Sequence, residues 1–239
     1  MTRKPYLQVD SLKLLIALNI SLFILPTLLV AVLLRSNQNG YGLFLDLLGG
    51  LIPVKFWAGE YWRVITSLFL HADLLHIASN MFSLYLIGRI VQRYFGGKWL
   101  VSFYIITGLG GSLFSVFFLP GTPTVGASGA VFGLVGVLLA GSLKRNRFGV
   151  DLPFRPMDIA PLAVYAFAVG LIPGFAVNNW AHLGGLLTGL GLGFVVRHKA
   201  NNYSSMEKLA EKVVFIMSLV VLALAYVGMG WYFYQAIWV

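Results

Sequence analysis

One serine and one histidine in this 239-residue chain stand in surroundings that suit them to nucleophilic attack and proton transfer. Ser128 lies in Gly126-Ala127-Ser128-Gly129, at the opening of a long apolar run. The first backbone N–H groups of a helix have no intrahelical partner, so a serine there has donors available for an oxyanion. His182 opens another apolar run, in Ala181-His182-x-x-Gly185. An imidazole is a suitable base for a serine hydroxyl at neutral pH. In a third run, His76 and Asn80 are one helical turn apart, with Cβ atoms roughly 5–6 Å from each other. Two donors so placed can be directed at a developing negative charge.

Each of these residues also has a plain structural explanation. Serines in apolar helices mostly permit close packing, and a histidine or asparagine can simply bond to backbone carbonyls. The glycines give a way to choose. Gly126, Gly129, Gly133 and Gly136 recur at intervals of 3, 4 and 3, and Gly185, Gly189 and Gly193 at intervals of 4. Such spacing lays each set along one helical stripe. Two glycine-faced helices can pack backbone to backbone and bring Ser128 and His182, near their first turns, within reach. A third catalytic acid is not apparent. The eight acidic residues are Asp10, Asp46, Glu60, Asp73, Asp151, Asp158, Glu207 and Glu211. None has a spacing that aims it at His182, so a Ser–His dyad is the simpler reading. Cysteine is absent, which excludes disulfides and thiolate metal sites; no metal and no cofactor are expected.

The elements that must position these groups follow from composition. The chain is 59% hydrophobic and 10% charged, against about 25% charged in soluble domains. That excludes a water-facing globule and implies an all-α polytopic membrane protein. Apolar stretches predict seven spans, at 12–34, 68–88, 98–119, 126–143, 158–176, 180–197 and 212–236. Residues 12–34 are too long for a signal-peptide core and lead to no small-x-small cleavage site, so they are read as a retained span. Residues 35–67, with Gly40, Gly42, Gly49, Gly50 and Pro53, read as a long loop partly embedded in the membrane, with Trp57 and Trp62 at the interface. The net charge of +9 comes from cations scattered between apolar runs, which argues against nucleic acid. Of the 17 lysines and arginines, 14 fall on alternate connections and only Arg35, Lys55 and Arg63 on the others. The positive-inside rule then puts the N-terminus in the cytoplasm and the C-terminus outside. His76, Asn80, Ser128 and His182 all come to the outer end of the bundle, an inference made without using them.

With these residues in place, the chain resembles the rhomboid family of intramembrane serine proteases. The matching features are Trp62-Arg63, His71-x4-His76-x3-Asn80, Gly126-x-Ser128-Gly129 and Ala181-His182-x-x-Gly185, over roughly 56–198. The resemblance implies a six-helix catalytic core at 56–198. Residues 1–55 would hold the N-terminal tail, the first helix and the start of the outer loop. Residues 199–239 would add a cytosolic linker and one extra C-terminal helix. It implies a Ser128–His182 dyad, with the Ser128 backbone N–H, His76 and Asn80 at the oxyanion. Phe132 fills the place of an aromatic residue stacked on the histidine; Gly126, Gly129, Trp62 and Arg63 support the site. Gly88-x3-Gln92-x3-Gly96 departs from a pattern with glutamate in some members, which puts a structural contact near the cytoplasmic side in doubt. The implied partners are the lipid bilayer and transmembrane protein substrates cut near the outer face, and the loop charges suit a bacterial inner membrane. Two other readings stay open. A rhomboid fold can bind membrane clients without cutting them, and a small transporter would instead carry charges along the bundle axis.

Overall fold

The computed structural model describes residues 10–33, 38–144, 152, 154–171, 177–197 and 204–238. Arg3, Lys4, Arg35, Arg145, Arg147, Asp151 and Lys199, among them six of the cations used for orientation, lie outside the described residues. The described residues form ten α-helices. They are α1 (Ser11–Leu33), α2 (Gln38–Leu47), α3 (Pro53–Trp57), α4 (Arg63–Thr66) and α5 (Leu74–Phe95). After these come α6 (Gly97–Phe118), α7 (Ser128–Leu143), α8 (Pro156–Val169), α9 (Asn179–Val195) and α10 (Ser205–Trp238). Among the described residues there is no strand, only an isolated antiparallel bridge between Leu51 and Thr124.

Among the described residues four helices are long and apolar enough to cross a membrane: Ser11–Leu28 within α1, α5, α6, and Ser205–Gln235 within α10. The 16 residues of α7 make a helix of about 24 Å, short of a hydrocarbon core of about 30 Å. It survives because neighbours surround it: Gly129 to Leu138 are all buried. Burial falls from α6, two-thirds buried over its span, to α10 at 11%. The outer helices present apolar side chains such as Leu25, Phe82 and Leu224 outward, as lipid contact requires.

Two expectations change. The second span begins at Leu74 rather than 68, because Asp73 caps it by accepting from the His76 backbone N–H at 2.8 Å. A 3₁₀ turn, Ser67–Phe69, precedes it. Gly96, with φ of +98°, ends α5 at a conformation open to glycine. The stretch read as one loop, 35–67, is instead built of α2, α3 and α4. Gly40 and Gly42 fall within α2, while Gly49 and Gly59, both with positive φ, mark turns between the short helices.

The contact put in doubt at Gln92 is present in another form. Gln92 Oε1 accepts from the Leu12 backbone N–H at 2.9 Å, and its Nε2 donates to Asp10 Oδ1 at 2.9 Å. Asp10 in turn accepts from the N–H groups of Leu12 and Lys13. An amide and a carboxylate together dock the start of α1 on the end of α5.

Candidate active site

The seam between α7 and α9 sets the site. The two helices run parallel, with Gly185 over the Gly129 carbonyl, Gly189 over that of Gly133 and Gly193 over that of Val137. A Cβ at any of these glycines would collide with a carbonyl oxygen of the partner helix. The seam extends to the first turns, where a Cβ on Gly129 would lie 3.3 Å from the Ala181 carbonyl oxygen. Ser128 and His182 are thus the chain neighbours of two residues in backbone contact. α6 closes a third side: Gly111 faces the Ala181 carbonyl, and Gly184 faces that of Gly110.

Around His182 the geometry is aromatic. Phe132 stacks on its ring with centroids 4.0 Å apart and planes 11° from parallel. Phe167 of α8 meets the ring edge-on at 6.0 Å. His182 Nδ1 is buried and has no hydrogen-bond partner among the described residues. Ser128 is half-buried at the first position of α7.

His76 and Asn80 converge on the approach to Ser128. Gly126 has φ of +124°, and a Cβ there would lie 2.7 Å from His76 Nε2 and 3.3 Å from Asn80 Nδ2. Both nitrogens therefore face one spot, two residues before Ser128. Asn80 Nδ2 is buried and makes no hydrogen bond among the described residues. Buried donors are rarely left unmade, and one aimed at a would-be reaction centre has an evident use. His71 precedes α5, and its buried ring meets that of His76 edge-on at 5.2 Å.

The carboxylates are engaged elsewhere. Asp73 caps α5. Glu60 Oε2 accepts from Arg63 Nε at 2.6 Å, and Asp46 pairs with Arg63 at 3.0 Å and with Lys55 at 2.6 Å. Buried Arg63 also donates to the carbonyls of Asp46 and Gly50. Trp62 turns away to Tyr232 of α10, with centroids 5.2 Å apart. Among the described residues no contact joins Trp62 or Arg63 to His182. Next to Gly50, Leu51 exchanges two backbone hydrogen bonds with Thr124, and Gly126 N–H donates to the Ser67 carbonyl at 2.9 Å. The first loop thereby holds the segment that delivers Ser128. Among the described residues no cluster of His, Asp and Glu could hold a metal ion.

Two residues outside the expected set belong here. Asn178 caps α9 by accepting from the Ala181 N–H at 3.0 Å, and its Nδ2 donates to Ser115 Oγ at 2.9 Å and Thr124 Oγ1 at 2.8 Å. One side chain joins the His182 helix, α6 and the segment before Ser128. An asparagine just ahead of an apolar run is a cap signal, so the first bond was legible and the others were not. Phe167 had no sequence signal at all.

Comparison with known proteins gives the class. The rhomboid domain model matches residues 58–199, more than half of the chain, and the chain belongs to the rhomboid family. It is a multi-pass membrane protein. It is similar to RHOMBOID-like protein 6, mitochondrial, of Arabidopsis thaliana: 38% identical over 153 residues, 64% of this chain and 49% of that one. With Rhomboid protease GluP of Bacillus subtilis it shares 34% identity over 134 residues, 55% of this chain and 25% of that one. With Inactive RHOMBOID-like protein 8 of Arabidopsis thaliana it shares 33% over 130 residues, 54% of this chain and 36% of that one. The chain spans about half or less of the length of these relatives.

Proposed function

We propose that the chain is an intramembrane serine endopeptidase acting through a Ser128–His182 dyad on transmembrane or juxtamembrane segments of other membrane proteins. The observation that carries this is the convergence of His76 Nε2 and the unbonded Asn80 Nδ2 over Gly126, beside a histidine stacked on Phe132. A helix interface needs none of those features.

His182 takes the proton of Ser128 as Oγ adds to the scissile carbonyl carbon. The oxyanion so formed is met by the Ser128 backbone N–H, His76 and Asn80, a role worth about 3–4 kcal/mol per donor in serine proteases. His182 passes its proton to the leaving amine nitrogen, the C–N bond breaks, and an acyl ester remains on Ser128. Water then adds to the ester as His182 removes its proton, and the ester C–O bond breaks as His182 returns that proton to Oγ, restoring Ser128 and the neutral imidazole. That His182 Nδ1 finds no partner among the described residues fits a dyad, and stacking on Phe132 takes the place of a carboxylate in holding the ring.

In this reading seven spans run from a cytoplasmic N-terminus to an external C-terminus, around a catalytic core at 56–198. The site opens to the outer face of a membrane such as the bacterial inner membrane, and the shortness of α7 leaves it recessed below that face. Ser128→Ala should lower cleavage of a transmembrane reporter in liposomes by at least about a thousandfold. Undiminished cleavage by that variant would exclude the dyad. A second reading, binding of membrane clients without cleavage, draws on the relative named inactive. Covalent labelling of Ser128 by a fluorophosphonate separates the two, since a non-catalytic serine does not react.

A further inference from the structure

At the end of α5 remote from His76 and Asn80, Arg89 and Arg93 open onto a groove of about 360 Å³, lined also by Leu86, Ile90, Tyr94 and Phe154. Arg93 lies 13 residues beyond Asn80, or about 20 Å along the helix, so the groove is separate from the candidate active site. The guanidiniums are one turn apart on the exposed face. Arg89 is held over the Tyr85 ring at 5.1 Å and donates to the Tyr85 hydroxyl at 3.1 Å. Tyr94 meets Phe154 edge-on at 5.9 Å, which makes Phe154, ahead of α8, the opposite wall. Among the described residues neither arginine pairs with a carboxylate. The same face of α5 carries Phe82, Tyr85 and Leu86, all exposed, in an unbroken apolar strip running up to Arg89.

We infer that this groove binds the phosphate of an anionic phospholipid, with an acyl chain along Leu86, Tyr85 and Phe82. Charge chooses the headgroup. Two guanidiniums that pair with no carboxylate among the described residues match phosphate oxygens by paired N–H donors, and basic pockets between membrane helices are suited to anionic headgroups. The apolar strip chooses a lipid over a soluble phosphate, because a free anion would leave Phe82 and Leu86 without a partner. Positive residues that only set topology require neither a groove nor an aromatic wall.

The test uses the full chain purified in mild detergent, incubated with phosphatidylglycerol or with phosphatidylcholine of the same acyl chains, and weighed by native mass spectrometry. Phosphatidylglycerol should be retained roughly thirtyfold better, as two basic side chains at a lipid surface imply. The double variant Arg89→Gln/Arg93→Gln should fall to the phosphatidylcholine level, whereas Lys208→Gln/Lys212→Gln should not. Equal retention of the two lipids by the unaltered protein overturns the inference, and needs no variant to fold. So does unchanged retention by the arginine variant, or complete displacement of the lipid by inorganic phosphate.

Discussion

Two regions hold the candidate active site, and they do so by opposite means. The α7–α9 seam is built on backbone: glycines stand over carbonyls, and the gain is dispersion and close backbone approach. The Arg63 knot in the first loop is all polar, one buried guanidinium shared by Glu60, Asp46 and two carbonyls. In a membrane the seam is the economical solution for helix pairs, since lipid tails drive no apolar association between them. The knot suits irregular backbone, whose carbonyls need donors wherever water is scarce. A seam fails by steric collision and a knot by an uncompensated charge, which separates the two experimentally.

The largest effect should come from the seam. Gly185→Val puts two methyl groups where the Gly129 backbone already stands. Backbone cannot rotate away as a side chain can, so the cost should exceed about 4 kcal/mol, at the far end of single substitutions. Thermal unfolding in detergent reads this, together with loss of reporter cleavage. Gly191 lies on the same helix with nothing within 4 Å of a Cβ. Gly191→Ala should be neutral or slightly stabilising, and equal damage at both positions would refute the seam as the cause.

Next comes the knot. Arg63→Met fills the volume but strips Glu60 of its cation and leaves Asp46 with Lys55 alone, at about 3 kcal/mol, the low end for breaking a buried pair. Adding Glu60→Gln and Asp46→Asn should recover a large part of the stability. If the triple variant is no better than the single one, the cost lies in the carbonyls of Asp46 and Gly50 instead.

Legibility in the sequence divides along the same line. The seam shows as intervals of 3 and 4, and with it the approach of Gly129 to Ala181, the chain neighbours of Ser128 and His182. The knot does not show. Arg63 reaches Asp46 and Gly50 across 17 and 13 residues of aperiodic chain, and nothing in the spacing says which carboxylate it will take. The start of α5 was misplaced because hydropathy continues through Leu68-Phe69-Leu70, while the helix obeys the cap at Asp73. The bonds of Asn178 to Ser115 and Thr124 span 63 and 54 residues. Only the folded chain brings them together.

Asn178 is where seam and loop meet, and it gives a smaller effect of a more specific kind. Asn178→Ala removes a helix cap and two side-chain bonds, for about 1–2 kcal/mol. Because Thr124 leads into Ser128 and the cap sets the first turn bearing His182, turnover should fall further than stability accounts for. Measured at equal folded fraction, kcat should drop while KM holds. Asn178→Asp keeps the cap but loses the donors to Ser115 and Thr124, so it should restore stability and leave kcat low. Matching recovery of both would reduce Asn178 to a cap.

The smallest effect lies outside both regions, at Asp10, and tests whether a polar tie at the far end of the bundle reaches the site. The Gln92 amide, followed by the Lys13 and Leu12 backbone N–H groups, holds the Asp10 carboxyl below the ordinary aspartate value. A depressed carboxyl contributes stability that is present above its unfolded pKa, about 3.9, and is lost as pH falls through the lower folded one. Docking of α1 on α5 should therefore weaken only below about pH 4, and by little, since Asp10 is largely solvated. Gln92→Leu removes the principal cause of the shift, so the variant should be slightly less stable than the parent at neutral pH, and the gap should narrow in acid to what the lost Leu12 N–H bond leaves. Amide hydrogen exchange in the first turn of α1, followed from pH 6 to pH 3 in both proteins and corrected for intrinsic exchange, reads the tie locally. A gap that widens in acid would reverse the assigned sign. A parallel change in exchange at Ser128 would mean that the knot and seam do not isolate the site from the opposite end of the bundle.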